Sequence, residues 1–204
     1  MRNKVLILFA ATLSMVLFGC PPKSETAGGT GGGASGGDIL VGEYGSLTGT
    51  EATFGQSTHN GIMMAADEIN GAGGINGRKI KIITEDDQSK SEEAVTAVQK
   101  LISQNQVVAV LGEVASSSSI AAAPICQNSK VPMITPSSTN PEVTKKGEYI
   151  FRMCFTDDYQ GHSMADYVAK QVGVKTAAIL TDVKSDYSQG LGHFFRTQAG
   201  AFQP

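Results

Sequence analysis

From Asp38 onward the chain alternates short β-branched, apolar runs with amphipathic stretches, and this alternation leaves few folds open. "ILVGEYG", "KIKIITEDD", "VVAVLG", "VPMITPS", "YIFRMCF" and "KTAAILTD" read as six strands. The intervening "NGIMMAADEIN" places Ile62, Ala65, Ala66 and Ile69 at helical spacing, after the turn-rich "SLTGTEATFGQ". "SEEAVTAVQKLISQ", the stretch from Ser116 to Asn128, "DDYQGHSMADYVAKQVG" and "SDYSQGLGHFFRTQ" read as further helices. Asp157 or Asp158 is the expected cap of the fourth. "VVAVLG" is the most apolar run and suits a central strand buried on both faces. Strict βα alternation predicts an α/β fold with a doubly wound, open parallel sheet and helices on both faces.

In such sheets ligands sit beyond the carboxyl ends of the strands, at a topological switch point. Two of the expected strand ends are rich in hydroxyls. Ser116, Ser117, Ser118 and Ser119 follow the most apolar strand and open a helix, where unpaired amides and the helix dipole favour a carboxylate or other small anion. The same pattern suits a serine cap with small residues for close helix packing. After "MIT", Pro136 disfavours further pairing, and Ser137, Ser138, Thr139 and Asn140 add hydroxyls and amides. Successive βα units are neighbours in a parallel sheet, so the two clusters together favour a ligand site. Glu85, Asp86 and Asp87 end the second strand and are expected to be solvated.

Composition excludes several classes. The net charge is −3 and Trp is absent, which leaves neither a basic footprint nor a stacking surface for nucleic acid. His59, His162 and His193 lie far apart and form no ligand spacing with cysteines, so no metal and no cofactor is expected. "GAGGING" lacks the order of a dinucleotide loop and follows a helix, and neither a G-x-S-x-G elbow nor a Walker A sequence is present. A hydrolase using the serines needs a His and a carboxylate beside them, and His162 is the nearest candidate. No enzyme is expected. Cys126 and Cys154 fit two buried free thiols or a bridge.

The N-terminus has a basic "MRNK", an apolar "VLILFAATLSMVLF" too short for a comfortable membrane span, and then "LFGC". This resembles a bacterial lipoprotein signal in which Cys20 becomes the lipidated first residue, although Phe18 replaces the usual small residue. A plain signal peptide or an anchor helix with an incidental Cys is the alternative. Residues 21–37 are rich in Gly, Ser and Thr and read as a flexible tether. The expectation is therefore a cell-envelope protein that meets the membrane only through a lipid on Cys20.

The segment from "INGAGGINGRKIKIITEDDQ" through "GEVASSSSIAAAP" to "MITPSSTNPEVT" closely resembles the leucine/isoleucine/valine-binding proteins of bacterial ABC importers. The resemblance runs from about Asp38 to about Gly192. It implies two α/β lobes closing on a free, branched-chain amino acid, with ABC permease and ATPase subunits as partners. It further implies that Ser116 and Thr139 take the carboxylate and ammonium region, with Ser117 and Ser138 beside them and the backbone carbonyl of Ser137 facing the ammonium. Tyr187 would reach in from the second lobe, and Phe54 would form part of the wall for an apolar side chain. A sensor of the same fold for amides, urea or aromatic acids is the alternative. Ala115 stands where relatives carry a disulfide. Residues 1–20 are expected to be the signal, 21–37 the tether and 38–155 the first lobe. Residues 156–204 are expected to begin a truncated second lobe, leaving the ammonium's acidic partner outside the chain and amino-acid binding weak.

Overall fold

The computed structural model describes residues 36–200. Cys20 and nearly all of the expected tether lie outside the described residues. Five strands form one parallel sheet in the order β2-β1-β3-β4-β5: β1 Ile39–Gly45, β2 Ile80–Asp86, β3 Ala109–Leu111, β4 Met133–Thr135 and β5 Ile150–Arg152. β1 pairs with β2 over its full length, from Ile39 with Ile80 to Gly45 with Asp86. On its other edge β1 pairs with β3, Val41 opposite Ala109. The α/β, parallel-sheet expectation holds, and "VVAVLG" supplies the middle strand.

Helices α1 Ala52–Gly71, α2 Ser91–Ser103, α3 Ser116–Ser129 and α4 Asp157–Tyr167 connect or follow the strands, and α5 Asp186–Gly200 closes the described chain. α2 buries Ala94, Ala97, Val98 and Leu101, spaced i, i+3, i+4 and i+7, as one apolar stripe. Leu101 lies so close to Gly42 that a Cβ there would meet it at 3.0 Å, so the helix rides directly on β1. Val110, Met133, Ile150, Ala122, Ala123 and Cys126 continue this core across the sheet and α3. Cys126 and Cys154 are free, but only Cys126 is fully buried.

Three expectations are corrected. α1 begins at Ala52, several residues earlier than the periodicity suggests. Its first turn can lie there because residue 55 is glycine: a Cβ would sit 2.0 Å from the Ser46 carbonyl oxygen. Thr156, not an aspartate, precedes α4, and Asp157 and Asp158 occupy its first turn. "KTAAILTD" forms no strand. The segment is irregular and open to solvent, with Leu180 100% exposed, because no described strand lies beside it to supply a hydrogen-bonded ladder. Past α4 the helix loosens into a π turn, Val168–Val172, and stops at Gly173.

Candidate functional site

In a sheet ordered 2-1-3-4-5 the connections reverse direction between β1 and β3, and the crevice beyond their carboxyl ends is where such folds bind ligands. That crevice is built by Ser46 after β1, Asp86 and Asp87 at the end of β2, Glu113 to Ser119 after β3, and Ser137 to Asn140 after β4. Gly112 makes the turn out of β3. Its φ is +123°, and a Cβ would lie 1.9 Å from the Tyr44 carbonyl oxygen, so only glycine fits.

Glu113 organises this edge. The backbone carbonyl of Glu113 accepts from the hydroxyls of Thr135 (2.6 Å), Ser138 (2.9 Å) and Ser119 (3.2 Å), joining the ends of β3, β4 and α3. Its buried carboxyl group accepts from the Ser46 amide at 3.0 Å and from the Ala115 amide at 2.5 Å, and its Oε1 lies 3.0 Å from the Ser46 hydroxyl oxygen. Burial, and then the neighbouring Asp87, push the Glu113 carboxyl up to about 7. Asp87 accepts from the Ser46 hydroxyl at 2.9 Å and is also pushed upward, mainly by burial. Asp86 goes the other way: burial opposes ionisation, but bonds from Thr48, Gln88 and Leu47 hold its carboxyl below the usual range. Of the three carboxylates ending β2, only Asp87 is enclosed, contrary to expectation, while Glu85 and Asp86 keep contact with solvent. Asp86 and Asp87 fasten the β1–α1 loop, and Glu85 pairs with Lys100 of α2.

The serines also differ from a simple cap. Ala115 occupies the cap position and Ser116 to Ser119 form the first turn of α3. Ser116 Oγ accepts from the Asn140 amide at 3.2 Å, and Ser117 Oγ from the Asp186 amide at 2.9 Å. A hydroxyl whose oxygen is occupied as an acceptor still has its hydrogen to donate, which suits an anion. Asn140 Nδ2 donates to the Asp186 carbonyl at 2.8 Å, and the Asp157 amide donates to the Thr139 carbonyl at 3.0 Å. The N-termini of α3, α4 and α5 thus meet around Ser116, Thr139 and Asn140, and three positive helix ends converge. Asp157 is buried among them. Desolvation raises its carboxyl, while the Thr139 hydroxyl and Arg152 pull it back. Arg152 holds the loop in shape by donating to the carbonyls of Ser138 (3.2 Å) and Asn140 (2.7 Å).

Ser116, Ser117, Ser138 and Thr139 are therefore assembled on one edge. Ser137 is exposed and its hydroxyl reaches the Val114 carbonyl at 3.4 Å. Tyr187 starts α5, and its hydroxyl accepts from Gln160 at 3.5 Å, on the α4 side. Phe54 sits in the first turn of α1 with 69% of its surface exposed. Sequence reasoning missed Glu113, Ser46 and Asp87. The signal for Glu113 was present as the one charge inside "VVAVLGEVA".

The profile of the periplasmic binding proteins matches residues 38–201. The chain belongs to this family. An amino acid binding protein of Pseudomonas aeruginosa is 41% identical over 162 residues, which cover 79% of this chain and 43% of the relative. The branched-chain amino acid transporter substrate binding protein of Streptococcus pneumoniae, solved in complex with isoleucine, superposes with a TM-score of 0.76 at 34% identity, covering 79% of this chain and 46% of its own. A solute binding protein of an ABC transporter from Rhodopseudomonas palustris, solved with 3,4-dihydroxybenzoic acid, gives 0.73 at 28% identity, covering 80% and 44%. The chain thus spans less than half the length of the curated relatives it matches.

Proposed function

We propose that this protein is the substrate-binding component of an ABC importer, capturing a free branched-chain amino acid and delivering it to a membrane permease. The observation that carries the reading is the convergence of Ser116, Ser117 and Thr139 with three helix N-termini at the β1/β3 switch point. Ser116 and Ser117 donate to the ligand carboxylate. Thr139, with the backbone carbonyl of Ser137, takes the ammonium, and Ser138 holds the loop. Phe54 and Tyr187 flank the side chain. Capture is non-covalent. The isoleucine-bound relative supports an amino acid as the ligand.

A second reading, an aromatic acid, is favoured by the dihydroxybenzoate-bound neighbour of nearly equal similarity. The two ligands share a carboxylate, so the anion site serves both and the apolar wall decides between them. Calorimetry on the full-length protein with leucine, isoleucine, valine and 4-hydroxybenzoate separates the readings. Ser116→Ala is expected to weaken the ligand that binds by roughly ten- to a hundredfold, the cost of one hydrogen bond to a charged group. Unchanged affinity would mean that the serines only shape the helix start. The same reading places the protein in the cell envelope on a lipidated Cys20. Metabolic labelling with a fatty acid should mark the protein, and Cys20→Ser should abolish the label.

A further inference from the structure

Ser46 has one hydroxyl hydrogen and two carboxyl neighbours. Its Oγ lies 2.9 Å from Asp87 Oδ1 and 3.0 Å from Glu113 Oε1. Both contacts are full two-centre hydrogen bonds only if one of the two carboxyls carries a proton and donates it to Ser46 Oγ, while Ser46 donates to the other. Ser46, Asp87 and Glu113 are all fully buried, and Asp87 Oδ2 has no partner, so two full negative charges here would be unscreened. Glu113 Oε2 meanwhile takes the Ala115 amide, the N–H immediately before the first turn of α3. The Glu113 carboxyl and a ligand anion at Ser116 would therefore compete for the same positive helix end.

We propose that Glu113 and Asp87 share one proton through Ser46, and that Glu113 is a positioning residue whose protonation is coupled to capture of the ligand carboxylate. With the proton in place the pair carries one charge, and the start of α3 is left positive for the ligand. Once the proton is lost, Glu113 holds the Ala115 amide as a full anion and repels a carboxylate at Ser116. Several groups around the pair bear on this balance. From β1 it is the Tyr44 phenol, which feels both Glu113 and Asp87. Asp86 and Glu51 act on Asp87. Cys126 of α3 lies beside Tyr44. From the α3 and β4 ends, the hydroxyls of Ser119, Thr135 and Ser138 meet the Glu113 carbonyl. The upward push on Glu113 to about 7 agrees with this arrangement.

The coupling rests on the carboxylate-binding role proposed above, so the test separates the two. Leucine and 4-hydroxybenzoate affinities are measured on the full-length protein between about pH 6 and 8.5, in buffers of different ionisation enthalpy, and the protonated-carboxyl infrared band is followed without ligand. One repelling charge beside a bound carboxylate is worth on the order of one pKa unit, so affinity should fall about three- to tenfold as pH rises, with proton uptake on binding at the upper end. Glu113→Gln should flatten the profile and remove the band. Asp87→Asn takes away the like charge that holds the proton on Glu113, and should move the midpoint to lower pH without flattening it. That shift is one a merely structural role would not produce, and it decides the matter if Glu113→Gln fails to fold. Binding with a flat pH profile in the unaltered protein would overturn the coupling alone. No binding of either probe would overturn the carboxylate-binding role and the coupling together, while absence of the infrared band near pH 6 would overturn the shared proton.

Discussion

At the scale of single residues, Gly112 and Glu113 are the two positions where the strand end is least replaceable. Gly112→Ala puts a Cβ against the Tyr44 carbonyl at a φ of +123°. It should destabilise by more than the roughly 1–3 kcal/mol of backbone strain alone, read as a lower urea midpoint at an unchanged slope. For Glu113 the folded carboxyl titrates near 7, above the usual value of 4.5. The folded state therefore binds more protons than the unfolded state between those values. Its contribution is complete below about pH 4.5 and is lost as pH rises through about 7, on the order of 3 kcal/mol in all. Urea unfolding of the ligand-free protein across that window should show the decline, and Glu113→Gln should remove it.

At the scale of elements, α2 and the segment between α4 and α5 stand at opposite ends of stability. α2 presents one stripe to β1, and Leu101 is wholly enclosed against Gly42. Leu101→Ala should cost about 2–5 kcal/mol by lost transfer energy and the cavity left behind, measurable by chemical denaturation. The stretch around Lys175 and Lys184 is exposed and makes no ladder. Trypsin should cut the 204-residue chain after these two lysines well before it reaches Lys81, which lies inside the β1–β2 pairing. Protection of Lys175 and Lys184 comparable to that of Lys81 would mean that the segment is packed after all.

At the scale of the whole molecule, Cys126 reports on the integrity of the core. It is fully enclosed in the α3 face of the sheet, and burial pushes its thiol up to about 12. Thiol reagents should modify the half-buried Cys154 first and reach Cys126 only through global opening. Labelling of Cys126 should therefore accelerate with urea in step with unfolding, and equal rates for the two cysteines under native conditions would show that the core opens locally.

How much of this was legible beforehand follows from what each feature depends on. The alternation of β-branched runs with amphipathic stretches is local, and it was enough for the parallel α/β sheet, the central place of "VVAVLG", and the arrival of two hydroxyl-rich turns on one edge. The first turn of α1 was not legible, because it depends on Gly55 lying against Ser46 across a loop. The loss of the strand at "KTAAILTD" turns on the lack of sheet neighbours among the described residues from Lys175 onward, since a strand exists only when another chain segment supplies its ladder. The aspartates of "EDD" read as solvated because nothing in their own neighbourhood says that Ser46, Leu47 and Thr48 will fold over them. Local chemistry, carried by residue type and spacing, was determined by the sequence alone. The upward shift of the Glu113 carboxyl was decided only by the tertiary structure, because its desolvation and its Asp87 neighbour arise only when Asp87 and Glu113 are both brought within 3.0 Å of the Ser46 hydroxyl.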